Sequence, residues 1–370
     1  MAINFSVPAR VNLLGNPSDG NEGAHACISA AVDLRAQAVI DPHERYILEI
    51  SSNDSSPTEF NPSEIPIPYQ GHNDLLIASI NRLYLSSQEF QTNILRQGFH
   101  LRVSTNVPRQ SGLGGSSLFI LLTLVAMREY YELDRRIHND YFLSELAQRI
   151  EEVELGITCG FADRYIPLFG GLAYVDYHGK LRHEKIGNEP YATYERLDHF
   201  VEPLPLVGVM TGVAHDSGDV HGRMRPLYLD QYARWQQSGG EMPPMVSFMH
   251  AVWECAWRGK IALLNGDLAC FGQLMDENHQ LVDEMMRYCG FDDGAGWANN
   301  LFIEQAKTNG ALGAKLTGAG SGGSVFALVN PGEQDLLIAA WQATAAANHL
   351  EKAQAIKLEV SPHGLIVDHK

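Results

Sequence analysis

A chain of 370 residues exceeds what one hydrophobic core ordinarily organises, so two domains are the expectation. With 45% hydrophobic residues, 19% charged residues and no low-complexity tract, the composition is that of a globular protein. The net charge of −17 at pH 7 argues against a nucleic acid or an anionic membrane as partner, because the long-range field repels phosphates. It leaves small phosphorylated ligands open, since local backbone N–H groups, a few cations and a metal can hold those.

The five cysteines are odd in number and form no CxxC pair, which predicts reduced thiols in a cytoplasm-like compartment, with neither a disulfide framework nor a zinc site. Met-Ala-Ile-Asn-Phe-Ser at the start lacks the basic, apolar character of a signal peptide. The most apolar stretch, Leu118 to Met127, suits a buried helix and is too short to span a bilayer. A soluble, cytoplasmic protein is expected, as monomer or homodimer.

In chain order, Phe5 to Val7, Ala30 to Ile40, Tyr46 to Ile50 and Phe99 to Val107 read as strands, rich in β-branched and aromatic residues and bounded by Gly, Pro, Asn and Asp. The polar, proline-bearing stretch from Ser51 to Pro68 reads as a surface loop. Two helical patterns follow, Ser116 to Leu133 and Asn139 to Leu155, the second with Phe142, Leu143, Leu146, Ile150 and Val153 near helical spacing. Gly170-Gly171 leads into a strand, and a loop from Gly187 to Arg196 marks the expected boundary between domains 1–195 and 196–370. Beyond it, Leu204 to Met210 reads as a strand and Met245 to Leu264 and Cys270 to Tyr288 as helices. Strands around a glycine cluster, a helix from Gln334 to Leu350 and a strand from Ala353 to Val360 close the chain. Strands and helices mixed without regular βαβ alternation predict α+β architecture in each half. The methionines of 242–249 and 275–286 sit at helical spacing and read as core filler.

Three segments carry chemistry. Pro108-Arg-Gln-Ser-Gly-Leu-Gly-Gly-Ser-Ser117 joins a strand to an apolar helix. Its glycines allow close approach of a ligand to the backbone, Ser116 or Ser117 is expected to cap the helix, and the first-turn amides make an anion cradle. It is neither a Walker loop nor a Rossmann fingerprint. Pro8-Ala-Arg-Val-Asn-Leu-Leu-Gly-Asn-Pro-Ser-Asp19 gathers a cation and short polar side chains around a turn. Lys315-Leu-Thr-Gly-Ala-Gly-Ser-Gly-Gly-Ser324 is a second glycine loop. One such loop could be a structural turn; three in this order, each with its own polar signature, argue for a phosphate site.

In this order the segments resemble the three motifs of the GHMP kinases, the superfamily of galactokinase, homoserine kinase and mevalonate kinase, across nearly the whole chain. Within it, Leu14-Gly-Asn-Pro-Ser-Asp19, the Pro108–Ser117 loop, Glu154-Leu-Gly-Ile157 through Asp163-Arg164, and Asp216-Ser-Gly-Asp-Val-His221 resemble the glucuronokinases. Galactokinases carry Gly-Glu-His-x-Asp-Tyr at the first site, from which Asn16 and Pro17 depart. The resemblance implies a ribosomal-protein-S5-like N-terminal domain, a ferredoxin-like C-terminal domain and an active site in the cleft between them. The implied reaction is phosphoryl transfer from ATP, with Mg²⁺, to the anomeric hydroxyl of glucuronate.

The resemblance also implies roles. Ser111, Gly112, Leu113, Gly114, Gly115, Ser116 and Ser117 would wrap the nucleotide phosphates, with Gly320 and Gly322 supporting them. Ser116 would meet the metal together with the acid eleven residues before the catalytic aspartate, which is Glu152 when counted from Asp163. Asp163 would be the catalytic base or orient the hydroxyl, with Arg10 as its cation. Asn16 and Asp19 would bind sugar hydroxyls, as could Tyr174. A sugar acid needs a cation for its carboxylate. Arg164 and Arg223 are preferred over Arg109 and Arg225, although any one of these is by default a surface residue. Asp216 to His221 is expected to be a loop that closes over substrate. Alternatives are a neutral-sugar 1-kinase, a mevalonate-type kinase and a non-catalytic sugar or nucleotide sensor; a decarboxylase of the superfamily would not need both Ser116 and Glu152.

Overall fold

The structure is a computed structural model and describes all residues except 22, 24, 52–55, 109–110, 181–185, 187–190, 215–216, 370 and the side chain of Ser217. Arg109 and Asp216 therefore lie outside the described residues, as do residues 187–190 of the loop expected from Gly187 to Arg196, whose last four residues form a strand.

The chain opens with two long antiparallel strands, β1 (Ile3–Leu14) and β2 (Ala26–His43), followed by β3 (Tyr46–Ile50) and the short β4 (Thr58–Phe60). Helices α1 (Asp74–Ser86) and α2 (Gln88–Asn93) precede β5 (Gly98–Thr105). Then come α3 (Gly115–Tyr130), α4 (Asp140–Arg149), α5 (Ala162–Phe169), β6 (Leu172–Asp176) and β7 (Thr193–Arg196). Among the described residues these strands form an eight-stranded sheet in which β2 pairs with β6 along its first part and with β5 along its second. The eighth strand, β12 (Ile366–His369), returns from the far end of the chain to pair with β1 at Ile3–Ser6.

The remaining elements build a four-stranded antiparallel sheet of order β11-β8-β10-β9. They are β8 (Leu206–Met210), α6 (Ser217–Ser238), α7 (Pro244–Leu264), α8 (Leu268–Tyr288), α9 (Trp297–Thr308), β9 (Gly313–Thr317), β10 (Ser324–Leu328), α10 (Gln334–Ala347) and β11 (Gln354–Leu358). The mixed strands and helices of both halves form the expected α+β architecture in two domains. No described helix is long and apolar enough to cross a membrane.

Helix α3 is apolar almost all round because it is covered all round: Leu118 to Met127 are buried against β1, β2, β5 and neighbouring helices. On the other side, α7 packs on β2 and β1, and α8 on α7, β9 and β1, so one apolar core runs from the first sheet into the second. Met245, Met249, Met275, Met285 and Met286 are buried, as core filler should be. All five thiols are free, and burial above all pushes the Cys159 thiol up, which makes it a poor nucleophile.

Where the helical pattern ending at Leu155 was expected to run on regularly, α4 passes into a π turn over Ile150–Glu154, with Leu155 N donating to the Ile150 carbonyl at 3.2 Å. A π turn holds one extra residue per turn. It swings Val153 to solvent at 53% exposed, whereas Leu143, Leu146 and Ile150 stay in the core, and it turns Glu151 inward to 3% exposed. Segment 217–221 is another departure: the expected closing loop is the start of α6, whose helical character the sequence masks with Gly218, Gly222 and the internal Pro226.

Candidate active site

A cavity of about 860 Å³ opens where the two halves meet, lined by the end of β1, residues 107–108, the segments 111–119 and 156–163, the start of α6 and the 318–319 turn. The glycine loop before α3 forms part of its wall. Gly112 (φ +71°) has no room for a side chain, since a Cβ would stand 2.8 Å from the Thr317 carbonyl oxygen. Gly114 (φ +84°) is the N-cap of α3, in a left-handed conformation that favours glycine. The first intrahelical bond runs from Leu118 N to the Gly114 carbonyl at 3.2 Å, so the amides of Gly115, Ser116 and Ser117 precede the hydrogen-bonded ladder. The buried Ser111 hydroxyl has no partner among the described residues. Orphan donors at the positive end of a helix fit a phosphate.

The loop is braced from both halves. Arg10 donates to the Gly112 carbonyl, and the Ser324 hydroxyl donates to the Ser111 carbonyl at 2.6 Å. Ser111, Gly112, Gly114, Gly115 and Ser116 line the cavity; Leu113 is buried at 2% exposed and Ser117 at 1%, both behind the wall. No serine side chain caps α3. The hydroxyls of Ser116 and Ser117 instead donate to Glu151 Oε1, at 3.1 and 2.8 Å.

That contact departs from the expected pairing of Ser116 with Glu152. Glu151, one residue further back than Glu152, meets Ser116 and lines the cavity, because the π turn shifts the register of the helix. Glu152 points to Arg225 Nη1 at 3.1 Å and to Gln148. A hydroxyl and a carboxylate beside the phosphate cradle are hard oxygen donors of the kind Mg²⁺ takes.

At the other end stands Asp163, the second residue of α5. Arg10 Nε donates to its Oδ1 at 2.6 Å, and the Arg10 side chain is 3% exposed against 26% for Asp163. Burial opposes ionisation of Asp163. The guanidiniums of Arg10 and Arg164, the Arg10 hydrogen bond and the nearby His221 outweigh it, and the carboxyl lies below the usual carboxylate range. Asp19 holds α5 in place from far along the chain: its Oδ2 accepts from the amides of Phe161 and Ala162, both at 2.8 Å, capping the helix that carries Asp163. Gly160 makes room for this, since a Cβ there would fall 2.2 Å from Asp19 Oδ2. Gly160→Ala is therefore expected to displace the Asp19 cap, lowering the thermal midpoint and cutting kcat/KM roughly tenfold for a loss of about 1–2 kcal/mol. Differential scanning fluorimetry and steady-state assays on one preparation check both.

Asn16 also lines the cavity, but its amide is engaged: Nδ2 donates to the Gly318 carbonyl at 3.0 Å, and Oδ1 accepts from Lys315 Nζ at 2.7 Å. It clasps the first motif to the third. Lys315, absent from the expected site, also donates to the carbonyls of Asn12 and Leu316 at 3.1 and 2.8 Å.

Several expected residues lie elsewhere. Arg164, 1% exposed, is committed to Glu151 and to the Gly160 carbonyl at 2.6 Å, with Asp163 at 3.9 Å, so it sets the electrostatics behind the wall and does not face the cavity. Tyr174 is buried in β6 with Lys260 Nζ 4.9 Å from its ring centre, and it does not line the cavity. Arg223 lies on the exposed side of α6, paired with Asp219 at 2.9 Å and stacked 4.5 Å over Phe291. Arg225 is buried between Glu152 and the Gly20 carbonyl, the latter at 2.6 Å. Gly320 and Gly322 turn away: a Cβ on Gly320 would meet Met286, and the Gly322 carbonyl accepts from Asn299 at 2.9 Å. Gly318 and Ala319 face the cavity in their place.

Gly218 and His221, from the segment expected to close over substrate, line the cavity; the residues not anticipated are Glu151 and the apolar Ile50, Leu75, Val107 and Phe119. The adjacent Glu151-Glu152 pair was a signal that the count from Asp163 needed testing at both positions.

Relatives carry the same architecture. The family described as "GHMP kinases N terminal domain" matches residues 78–171, and "GHMP kinases C terminal" matches residues 301–347. Glucuronokinase 1 of Arabidopsis thaliana is 30% identical over 350 residues, covering 91% of this chain and 88% of its own. A galactokinase of Thermococcus kodakarensis is 26% identical, covering 89% and 90%. In fold, the crystal structure of Lactococcus lactis galactokinase complexed with galactose superposes with a TM-score of 0.77 at 18% identity, over 99% of this chain and 95% of that one. The chain belongs to the GHMP kinases. It is a phosphotransferase with an alcohol group as acceptor.

Proposed function

We propose that the chain transfers the γ-phosphoryl group of ATP to the anomeric hydroxyl of D-glucuronate, giving glucuronate 1-phosphate and ADP. The observation that carries the proposal is the Asp163–Arg10 pair at one end of a cavity whose wall includes a helix-N-terminal phosphate cradle. The similarity to Glucuronokinase 1 supports the choice of sugar acid. The apolar end at Ile50, Leu75, Val107 and Phe119 takes the nucleobase, which runs the triphosphate along the amides of Gly115, Ser116 and Ser117 toward Asp163. Asp163 orients the acceptor hydroxyl; because its guanidinium neighbours lower its basicity, it receives the proton late in the transfer. Arg10, between Asp163 and the loop, stabilises charge on the transferring group. Ser116 and Glu151 would hold Mg²⁺, which when bound neutralises charge on the phosphate oxygens. The five free thiols and the absence of a membrane-crossing helix among the described residues support a cytoplasmic site of action.

Glu151→Gln keeps the shape and the hydrogen bond from Ser117 but removes a charge. The Mg²⁺ concentration for half-maximal rate is expected to rise at least about tenfold, in line with an ionic ligand contact of at least 1.4 kcal/mol. A magnesium titration at fixed ATP reads it.

The test of the function is ADP release with Mg-ATP across glucuronate, galacturonate, glucose, galactose and mevalonate, with the product's phosphorus-to-anomeric-proton coupling read by NMR. Turnover of galactose without glucuronate sinks the sugar-acid assignment in favour of a neutral-sugar 1-kinase. That second reading is favoured by one observation: none of the described arginines weighed for the carboxylate faces the cavity. No ADP release with any of these acceptors would point to the non-catalytic sensor.

A further inference from the structure

Arg164 is the third residue of α5, 1% exposed and behind the wall of the cavity. A positive charge in the first turn of a helix is opposed by the helix dipole, and burying a guanidinium costs desolvation that its partners do little more than offset. The stability of α5 therefore does not explain it. What distinguishes Arg164 is the set of groups it joins. Nη2 donates to Glu151 Oε2 and Nη1 to the Gly160 carbonyl at 2.6 Å, with Asp163 Oδ2 3.9 Å from Nη1. Glu151 Oε1 is held from the other side by the hydroxyls of Ser116 and Ser117, at 3.1 and 2.8 Å. A continuous series of contacts thus runs from the first turn of α3 through Glu151 and Arg164 to Gly160 and Asp163.

We propose that Arg164 is a positioning residue that couples the two substrate sites, so that phosphates on the glycine-loop cradle and an acceptor beside Asp163 each raise the affinity for the other. The inference rests on the placing of phosphates and acceptor proposed above, and not on which sugar the acceptor is. Phosphates held by the amides of Gly115, Ser116 and Ser117 fix the residues whose hydroxyls hold Glu151. Glu151 in turn fixes the guanidinium, and the guanidinium fixes the Gly160 carbonyl. Next to Gly160, the amides of Phe161 and Ala162 donate to Asp19, the contact that places α5 and with it Asp163. Gly160, Asp19 and Asp163 all line the cavity. Filling the cradle therefore orders the acceptor's wall in advance, and an acceptor that binds next loses less freedom in the protein.

Arg10 makes a separate tie. Among the described residues its side-chain hydrogen bonds go to the Gly112 carbonyl and to Asp163, so it joins the loop to the reacting carboxylate without reaching Gly160. Arg164 alone of the two holds the wall segment. Its planar fork suits the task, because one guanidinium can donate to a carboxylate and a carbonyl at once while its charge keeps Glu151 and Asp163 from repelling each other. By linkage the effect is reciprocal: the factor by which nucleotide tightens the acceptor is the factor by which the acceptor tightens nucleotide.

The experiment measures glucuronate binding by isothermal titration calorimetry, with and without saturating Mg-ADP, on full-length wild type, Arg164→Met and Arg164→Lys, with galactose run in parallel. Methionine fills much of the volume without charge. Lysine keeps a charge for Glu151 but lacks the fork that reaches Gly160 at the same time. In the wild type Mg-ADP is expected to tighten the sugar at least about fivefold, the lower end of ordinary coupling between sites, and the sugar to tighten Mg-ADP by the same factor. In both variants the factor is expected to fall below about twofold. An arginine that only supports the fold would lower the melting temperature and weaken both ligands alike, leaving the factor unchanged. An unchanged factor in Arg164→Lys, or a wild type whose sugar affinity ignores Mg-ADP, overturns the proposal. Where thermal melts show Arg164→Met to be misfolded, Arg164→Lys decides. Coupling read with galactose while glucuronate fails to bind would sink the sugar-acid reading and leave the role of Arg164 standing; binding of neither sugar overturns both.

Discussion

Asp163→Asn is expected to lower kcat by roughly 10²- to 10⁴-fold while nucleotide affinity changes little, the range a positioned proton acceptor supplies. The two side chains are nearly isosteric, and an asparagine oxygen can still accept from Arg10 Nε, which now lies 2.6 Å from Oδ1. What disappears is the negative charge facing the acceptor hydroxyl. The nucleotide cradle, built from the amides at the start of α3, is untouched. Coupled assays of ADP release together with calorimetric titration of ATP separate the two effects, and turnover equal to wild type would remove Asp163 from the reaction. The pH profile gives an independent check. A carboxyl held below the usual range stays ionised until the solution becomes more acidic than that range, so activity depending on it is present at higher pH and is lost only as pH falls through the depressed value. An acid limb near pH 6 in the wild type would belong to another group.

The second large effect is expected at Lys315, which is buried at 0% exposed and ties together Asn12, Asn16 and Leu316. Lys315→Met fills much of the same volume but leaves three oxygens without their donor. A loss of about 2–3 kcal/mol in unfolding free energy is expected, since each unsatisfied buried acceptor costs about 1–3 kcal/mol and some will find other partners. The urea midpoint measures it. Releasing Asn16 also frees the turn that lines the acceptor end, so KM for the acceptor should rise more than KM for ATP. Burial pushes the Lys315 ammonium down to about 7, and Arg10 adds to the effect. Between that value and its ordinary 10.5 the unfolded chain holds a proton the folded chain has released, so wild-type stability climbs as pH rises through this window. The gap in midpoint between wild type and Lys315→Met should accordingly widen from pH 6.5 to pH 9; a constant gap would mean the lysine stays charged in the fold.

Much of this site was legible because its parts are local. A strand, glycines and an apolar helix in immediate succession can hardly fold otherwise, and the turn from Ser111 to Ser117 leads into α3 much as the residues suggest. Arg10 and Asp163, at opposite ends of their own segments, do meet. What the sequence concealed was register and facing. The π turn after α4 cannot be seen in a run of acids and aliphatics, and it moves the serine-bound carboxylate from Glu152 to Glu151. Arg164 is expected to meet the carboxylate because it stands next to Asp163 in sequence, but the neighbouring Glu151 and Asp163 neutralise it inside the wall. Asn16 and Asp19 were read as binders of hydroxyls. Their hydrogen bonds run to Lys315, Gly318 and the start of α5, contacts made across 142 to 302 residues of chain that no local pattern encodes. Pro167 within α5 and Pro226 within α6 hid two helices that shape the acceptor corner.

The pairing of β12 with β1 has a consequence for how the molecule is made. Ile3 to Ser6 find their partners at Ile366 to His369, so one edge of the first sheet waits, open to solvent and to other strands, until those residues, more than 350 positions later, have left the ribosome. An exposed edge next to strands as apolar as β1 and β2 is a hazard for pairing between nascent chains. Arg10 and Asn12 lie further along that same strand. Late closure of the edge therefore couples the emergence of residues 366–369 to the final rigidity of the strand that presents Arg10 to Asp163.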